Sequence, residues 1–112
     1  MGLDKELIGA TTRILVLSAL AKEPDYGYGL IKRINVVADG LFEWHEGTVY
    51  PVLHKLEKEG CLRTQWQEAD SGRCRKYYYI TAKGREMLTE RKRSWRDLNV
   101  VVGRLGEIGH AP

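Results

Sequence analysis

The chain has 112 residues, of which 43% are hydrophobic and 29% charged, and its net charge at pH 7 is +3. This length suits one domain with its own hydrophobic core, and the composition excludes a disordered chain and a membrane-embedded one. The chain does not start with a cationic segment followed by an apolar one, so we expect a cytoplasmic protein that makes no membrane contact.

Catalytic and metal-binding patterns are absent from the sequence. The two cysteines and three histidines lack metal-ligand spacing, and there is no phosphate-binding loop, zinc-protease motif or nucleophile elbow. We therefore expect no enzyme, metal or cofactor. Cys61 is interpreted as a packed thiol. Cys74 lies between Arg73 and Arg75, where a redox-sensing thiol is the alternative to an unreactive one.

Two helices are predicted before residue 40. Apolar residues recur at helical spacing from about residue 5 to residue 21, and Pro24 ends that segment. After the turn in "PDYGYG", a short amphipathic helix runs up to a stop at Asp39 and Gly40. The apolar positions of this second helix are Leu30, Ile31, Ile34 and Val37.

A third helix is predicted in "EGTVYPVLHKLEKEG". Before it, alternation in "LFEWHEG" predicts a short extended segment with Phe42 and Trp44 on one side. Pro51 should lie near the first turn of the helix, which places the start close to Gly47, and Gly60 is the stop. The apolar stripe consists of Val49, Val52, Leu53 and Leu56. The exposed face carries Thr48, Tyr50, His54, Lys55 and Lys58.

From Cys61 the apolar pattern changes from helical to alternating, which predicts a β-hairpin turning at "EADSGR". On the returning strand, Tyr78 and Ile80 share one face, and Tyr77 and Tyr79 share the other. Between residues 73 and 85 the chain carries cationic residues and no acidic one. They are Arg73, Arg75, Lys76, Lys83 and Arg85. The hairpin therefore has a basic tip.

Thr81 is a candidate N-cap for a long last helix with a narrow apolar seam. The seam consists of Leu88, Trp95, Leu98, Val102 and Leu105. Charged residues fill the positions between, so the helix cannot be buried in the core, and a seam of this kind usually packs on a second copy of itself. We expect a homodimer. The alternative is that the seam packs only on the first helix of the same chain.

The order helix, helix, helix, hairpin predicts a mainly α (α+β) winged helix-turn-helix with a long C-terminal dimerisation helix. Residues 1–81 form the winged helix-turn-helix DNA-binding domain, which includes the N-terminal helix. Residues 82–112 form the dimerisation helix, as part of the same compact unit. Protein-interaction modules share this order of elements, so a protein-binding function is the alternative.

Four stretches, "YGYGLIKRI", "GTVYPVLHKLEKEGCL", "SGRCRKYYYIT" and "AKGREML", resemble the successive motifs of the PadR family of bacterial transcriptional regulators. The resemblance runs from about Thr12 to Leu105 and is closest to the compact subfamily. It implies a dimeric repressor, commonly of detoxification or efflux genes, whose first and last helices form the dimer interface. Val49 and Cys74 depart from the usual residues, and Cys74 puts one phosphate contact in doubt.

The resemblance also implies a set of DNA-binding residues. They are Tyr28, Lys32, Thr48, Tyr50, Pro51, His54, Lys55, Gly72, Arg73, Arg75 and Lys76. The phosphate contacts are assigned mostly to Lys32, Lys55, Arg73 and Lys76, and the base-edge contacts to Thr48, Tyr50 and His54. A symmetric dimer should bind double-stranded DNA at a palindromic operator, with half-sites about one helical turn, ~10 base pairs, or a multiple apart.

The chain is similar to multidrug-binding members of the compact subfamily, in which a matching tryptophan stacks on planar compounds between subunits. This implies a ligand site at Trp95 lined by Asn99, Leu7 and Ile14. A cation-binding site often offers a carboxylate, and Asn99 does not supply one. The alternative is that Trp95 serves only in dimer packing, in a regulator with no small-molecule inducer.

Overall fold

The computed structural model describes residues 5–110, with side chains from residue 6 to residue 106. These residues form four helices and three strands. In chain order they are α1 Lys5–Lys22, β1 Asp25–Tyr26, α2 Gly27–Ala38, α3 Glu46–Lys58, β2 Leu62–Glu68, β3 Cys74–Ile80 and α4 Ala82–His110. The mainly helical fold with a hairpin and a long last helix is confirmed. No helix within the described range is long and apolar enough to cross a membrane.

The hydrophobic core lies where α1, α2 and α3 pack together on the hairpin and on the start of α4. Its buried residues are Val16, Leu17, Leu20, Leu30, Ile31, Ile34, Trp44, Val49, Leu53, Leu56, Cys61, Leu62, Tyr78 and Leu88. Cys61 is fully buried, with its Sγ 3.8 Å from Sδ of Met87. This confirms the prediction of a packed thiol.

The second helix ends where predicted, but its last turn buries a different residue from the predicted one. Asp39 adopts a left-handed conformation, and its N–H donates to the carbonyls of Asn35 and Val36, both at 3.2 Å. The prediction that Val37 belongs to the apolar buried face is wrong, because Val37 is 84% exposed. Val37 lies at the edge of that face, and Ala38 instead occupies the position one turn after Ile34 that points to the core.

The extended segment predicted around Phe42 and Trp44 is a loop without strand pairing. The Asn35 side chain provides the hydrogen bonds that a neighbouring strand would otherwise supply. Its Nδ2 donates to the Trp44 carbonyl at 3.0 Å, and its Oδ1 accepts from the Trp44 N–H at 2.7 Å. The rings of Phe42 and Trp44 lie 5.5 Å apart, so they do pack together.

The turn predicted at "PDYGYG" contains a two-residue strand, β1, that the sequence pattern did not predict. β1 pairs antiparallel with β3, which makes β3 the central strand of a sheet ordered β1-β3-β2. Arg33 of α2 holds this segment, since its Nε donates to Asp25 Oδ2 at 2.9 Å and its Nη2 donates to the Glu23 carbonyl at 3.0 Å. β1 therefore ties the start of α2 to the hairpin.

The hairpin of β2 and β3, called the wing below, has the predicted alternation. Leu62 lies opposite Ile80, and Trp66 lies opposite Lys76. Tyr78 is buried against the helices. Gly72 takes a positive φ of 83° in the turn, a conformation that favours glycine. The wing tip, residues 69–73, therefore closes tightly.

Thr81 caps α4 as predicted, because its Oγ1 accepts a hydrogen bond from the Gly84 N–H at 3.1 Å. Leu88 packs into the core, whereas every residue from Thr89 to Gly106 is exposed. Leu98, for example, is 61% exposed. Most of the predicted seam is thus uncovered in the single chain, where Leu88 is buried in the core and Trp95 is half-covered beside α1.

Candidate nucleic-acid interface

The two helices of the helix-turn-helix approach each other closely where α2 begins. Gly27 is buried, and a β-carbon there would lie 2.5 Å from the hydroxyl oxygen of Tyr50. Burial is the main cause that raises the pKa of the Tyr50 phenol, and the nearby carboxylate of Glu46 raises it further. Tyr50 is thus a neutral, half-buried donor whose ring lies 6.3 Å from that of His54.

The solvent-facing side of α3 presents four of the predicted DNA-binding residues. All four are exposed: Thr48, Pro51, His54 and Lys55. Pro51 is the sixth residue of α3, since the helix begins at Glu46, one residue before the start predicted close to Gly47. Proline lacks the N–H that would bond the Gly47 carbonyl, but Gly47 is exposed, so solvent can reach that carbonyl.

The two predicted residues of α2 lie side by side. Lys32 Nζ is 4.9 Å from the centre of the Tyr28 ring, and both side chains are exposed. Their spacing of four residues along a helix brings them together on one face. The aromatic ring holds the ammonium group near the start of α2 without neutralising its charge.

On the outer face of the wing, cationic side chains lie over aromatic rings. The Arg75 guanidinium is 4.3 Å from the centre of the Tyr26 ring, which packs 5.6 Å from the ring of Tyr77. In the same way, the Arg63 guanidinium is 4.3 Å from the centre of the Tyr79 ring. Tyr26 and Arg63 are not among the residues predicted from the sequence, because their partners become apparent only once the strand register is known.

The inner face of the wing meets α3 through a carboxylate. Lys76 Nζ lies 3.5 Å from Oε1 of Glu57, and the Thr64 hydroxyl donates to Oε2 of the same residue at 3.0 Å. The predicted phosphate contact of Lys76 stays a prediction. At the wing tip, Gly72 and Arg73 are exposed.

A second candidate site surrounds Trp95, between α1 and α4. A hollow of about 410 Å³ on one side of Trp95 is mainly apolar, with Lys92 and Arg96 among its lining residues. A second hollow of about 680 Å³ includes both Glu86 and Glu90.

Three of the four predicted ligand residues meet here. Leu7, Ile14 and Trp95 line both hollows. Asn99 lines neither, and its Nδ2 instead donates to the Trp95 carbonyl at 3.2 Å. The structure thus brings the apolar members of the predicted site together in a single chain and leaves Asn99 outside.

Comparison with known proteins gives a consistent result. The model of the PadR-like family of transcriptional regulators matches residues 16–90. A transcriptional regulator of Mycobacterium tuberculosis is 32% identical over 94 residues, which are 84% of each chain. A PadR family regulator from Eggerthella lenta is 39% identical with a TM-score of 0.77, and the match covers 91% of this chain and 87% of that one.

A PadR-like regulator from Bacillus cereus has a TM-score of 0.79 at 32% identity, with 90% of this chain and 96% of that one covered. The family match includes α2, α3 and the wing, which carry the predicted DNA-binding residues. Members of the family are regulators of transcription that bind DNA. The chain belongs to the PadR-like family of transcriptional regulators.

Proposed function

We propose that this DNA-binding regulator is a homodimeric repressor that binds a palindromic operator and releases it when a planar, apolar ligand occupies the Trp95 hollows. The observation that carries the DNA-binding part is the placement of two exposed surfaces on one molecule. The polar face of α3 is suited to base edges, and the basic wing is suited to the sugar-phosphate backbone.

The phosphate contacts are proposed for side chains whose charge is not used in an ion pair among the described contacts. Arg73 is exposed at the wing tip, and Lys55 is exposed on α3. Lys32 and Arg75 are held over aromatic rings, which orient a cation but leave its charge available. Together with the polar face of α3, these residues would fix the position of the helix in the major groove.

The base contacts are proposed for Thr48, His54 and Tyr50. Hydroxyl and imidazole groups can donate to or accept from base edges. Thr48 and His54 are exposed, whereas Tyr50 also packs against α2. Thr48 and His54 are therefore the stronger candidates for sequence discrimination.

The dimer is proposed from the uncovered seam of α4. Trp95, Leu98, Val102 and Leu105 are each at least 50% exposed in the single chain. Large apolar side chains at this spacing along one helix are best buried against a partner of the same kind. A two-fold dimer presents two copies of α3 and the wing, and therefore requires a palindromic operator.

The ligand is proposed from the surroundings of Trp95. The ring is half-exposed and borders hollows whose walls include Leu7 and Ile14. A planar molecule could stack on the indole in this apolar setting. Lys92 and Arg96 line the mainly apolar hollow, with no carboxylate among its described lining residues, which favours a neutral ligand over a cationic one on that side.

Selection of duplexes from a random library on the immobilised protein tests this function. We expect enrichment of a palindrome with half-sites about 10 base pairs, or a multiple, apart, bound by a particle with twice the chain mass in light scattering. Placing the enriched sequence across a reporter promoter should lower expression. Failure to enrich any sequence, or activation of the reporter, would contradict the proposal.

A protein-interaction module with the same fold is the competing function. The wing favours DNA, because it carries Arg73 at its tip and Arg63 and Arg75 on its outer face. Binding to DNA through several phosphates weakens steeply as salt rises. A protein partner that bound through the apolar hollows would show little salt dependence.

A further inference from the structure

The carboxylate of Glu57 connects α3 to both strands of the wing. Its Oε2 accepts a hydrogen bond from the hydroxyl of Thr64 in β2 at 3.0 Å. Its Oε1 lies 3.5 Å from Nζ of Lys76 in β3. These three residues are called the Glu57 cluster below. One side chain of the DNA-facing helix therefore holds both halves of the hairpin.

The cluster lies on the face of the wing that is packed against the helices. Thr64 pairs across the hairpin with Tyr78, a buried residue, and Lys76 precedes Tyr78 by two positions and so shares its face. Lys76 Nζ also lies 5.5 Å from the centre of the Tyr78 ring. The side chains of Lys76 and Glu57 are each only 33% exposed.

The position of Lys76 differs from that of the other cations of the wing. Arg75, its neighbour in β3, points to the opposite face and stacks on Tyr26. Arg73 is exposed at the tip. For Lys76 to bind a DNA phosphate, its ammonium would have to leave the carboxylate of Glu57, which would then face the DNA backbone with its own negative charge.

We propose that Glu57 is a positioning residue for DNA recognition, which fixes the wing relative to α3 by binding Thr64 and Lys76, and that Lys76 acts through Glu57 rather than as a phosphate ligand. This inference rests on the proposed binding of DNA by α3 and the wing. It assigns to Lys76 a role different from the phosphate contact expected from the sequence.

The physical consequence concerns specificity. An operator must be contacted by α3 in the major groove and by the wing on the backbone at the same time, which requires a fixed angle between the two. Random DNA is bound mostly through phosphates, and that binding tolerates a loose wing. Loss of the cluster should therefore weaken operator binding more than it weakens binding to random DNA.

The test compares Lys76→Met with Arg73→Met, a cation three residues away at the wing tip. Equilibrium binding of both variants is measured on operator and random duplexes over a range of salt concentrations. Arg73→Met removes one phosphate contact from each subunit of the dimer, so it should lower both affinities and flatten the slope of log K against log salt by about 1.8, or 0.9 for each lost contact. Lys76→Met should weaken operator binding about three- to fivefold, as expected for the loss of a partly exposed ion pair, with an unchanged slope. A slope for Lys76→Met that flattens as it does for Arg73→Met overturns the proposal.

A double-mutant cycle adds a second criterion. Glu57→Gln and the combination Glu57→Gln/Lys76→Met should each weaken operator binding to the same extent as Lys76→Met, because all three remove one ion pair. Glu59→Gln, at the residue that follows the end of α3, is the matched control, since Glu59 pairs with Arg13 away from the wing. Additive losses in the double variant contradict the inference.

Hydrogen exchange of the free protein separates this inference from the proposed function. Glu57→Gln should speed exchange of the amides in β2 and β3 at least about threefold relative to the wild type and beyond its change in the free energy of unfolding, whereas Glu59→Gln should speed exchange there only as far as it lowers global stability. Unchanged exchange in the wing of Glu57→Gln overturns the positioning role. If the wild type fails to bind DNA at all, the proposed function is wrong, and the exchange result still decides whether Glu57 holds the wing.

Discussion

The phenol ring of Tyr50 occupies the space that a β-carbon at residue 27 would need, with its hydroxyl oxygen 2.5 Å from that point. Two separate motifs, "YGYG" at the start of α2 and "GTVYP" in α3, thus meet in one contact. Because Gly27 has no side chain, α2 and the ring of Tyr50 pack directly together. The contact sets the spacing between the two helices of the helix-turn-helix.

Gly27→Ala should destabilise the protein by about 1–3 kcal/mol, because the added methyl group overpacks the contact with Tyr50. Urea denaturation gives the change in the free energy of unfolding. Gly47→Ala is the control, since a β-carbon there meets nothing within 4 Å, and it should stabilise α3 by at most about 1 kcal/mol. The double variant Gly27→Ala/Tyr50→Leu should lose less stability than the sum of its single changes. Full additivity would show that the two residues do not compete for space.

The ion pair between Arg13 and Glu59 predicts a pH-dependent contribution to stability. Nη1 and Nη2 of Arg13 donate to the two carboxylate oxygens of Glu59 at 2.7 and 3.2 Å. This hydrogen bonding is the main cause that holds the pKa of Glu59 below its ordinary value of about 4.5. Since the folded-state pKa is the lower one, the contribution is present above about 4.5 and is lost as the pH falls through the folded-state pKa.

Glu59→Gln should therefore be less stable than the wild type in urea denaturation at pH 7, and the difference should shrink at pH 3. Glu68→Gln at the exposed end of β2 controls for the removal of one negative charge. A destabilisation by Glu59→Gln that is the same at both pH values would rule out the titration of this carboxylate as its cause.

Leu98→Glu should convert the proposed homodimer into a monomer. Each dimer would lose the burial of two leucine side chains, worth at least about 1.5 kcal/mol each, so the dissociation constant of the dimer should rise at least about 100-fold. Light scattering across a concentration series measures this change. Val37→Glu is the matched control, because Val37 is 84% exposed on α2, away from the seam. If the Leu98→Glu protein had the same particle mass as the wild type, the proposal that the seam forms the dimer interface would be wrong.

Trp95→Ala should remove the response of the protein to a planar ligand. A neutral dye such as acridone, stacked on the indole, should quench tryptophan fluorescence, and loss of the stack should weaken binding about tenfold. Trp66→Phe is the control, since Trp66 is 67% exposed on the wing, and it should leave dye affinity unchanged. Persistent quenching and unchanged affinity in Trp95→Ala would place the ligand elsewhere.

Elements that depend on neighbouring residues were predictable from the sequence. The caps and stops at Thr81 and Asp39 act within one or two turns of a helix, and the alternation that buries Tyr78 is a property of a single strand. Local physical chemistry determines such features. The prediction of the apolar face of α2 was wrong only at Val37, which lies at the edge of that face.

Features that depend on contacts between distant segments were not predictable from the sequence pattern. The pairing of β1 with β3 joins Asp25 to Tyr78, which are more than 50 positions apart in the sequence. The pairing of Lys76 with Glu57 likewise depends on how the wing docks on α3. Charge alone placed Lys76 with the wing arginines, and only the register shows that it faces the helix.

The salt dependence of DNA binding tests the central claim most directly. Dissociation constants for a 30-base-pair duplex, measured by fluorescence anisotropy, should rise steeply with salt in the wild type. The double variant Arg73→Ala/Arg75→Ala removes two phosphate contacts from each subunit of the dimer, so it should flatten the slope of log K against log salt by about 3.6, or 0.9 for each lost contact. A wild-type affinity that is independent of salt, or a double variant with an unchanged slope, would contradict binding of DNA through the wing.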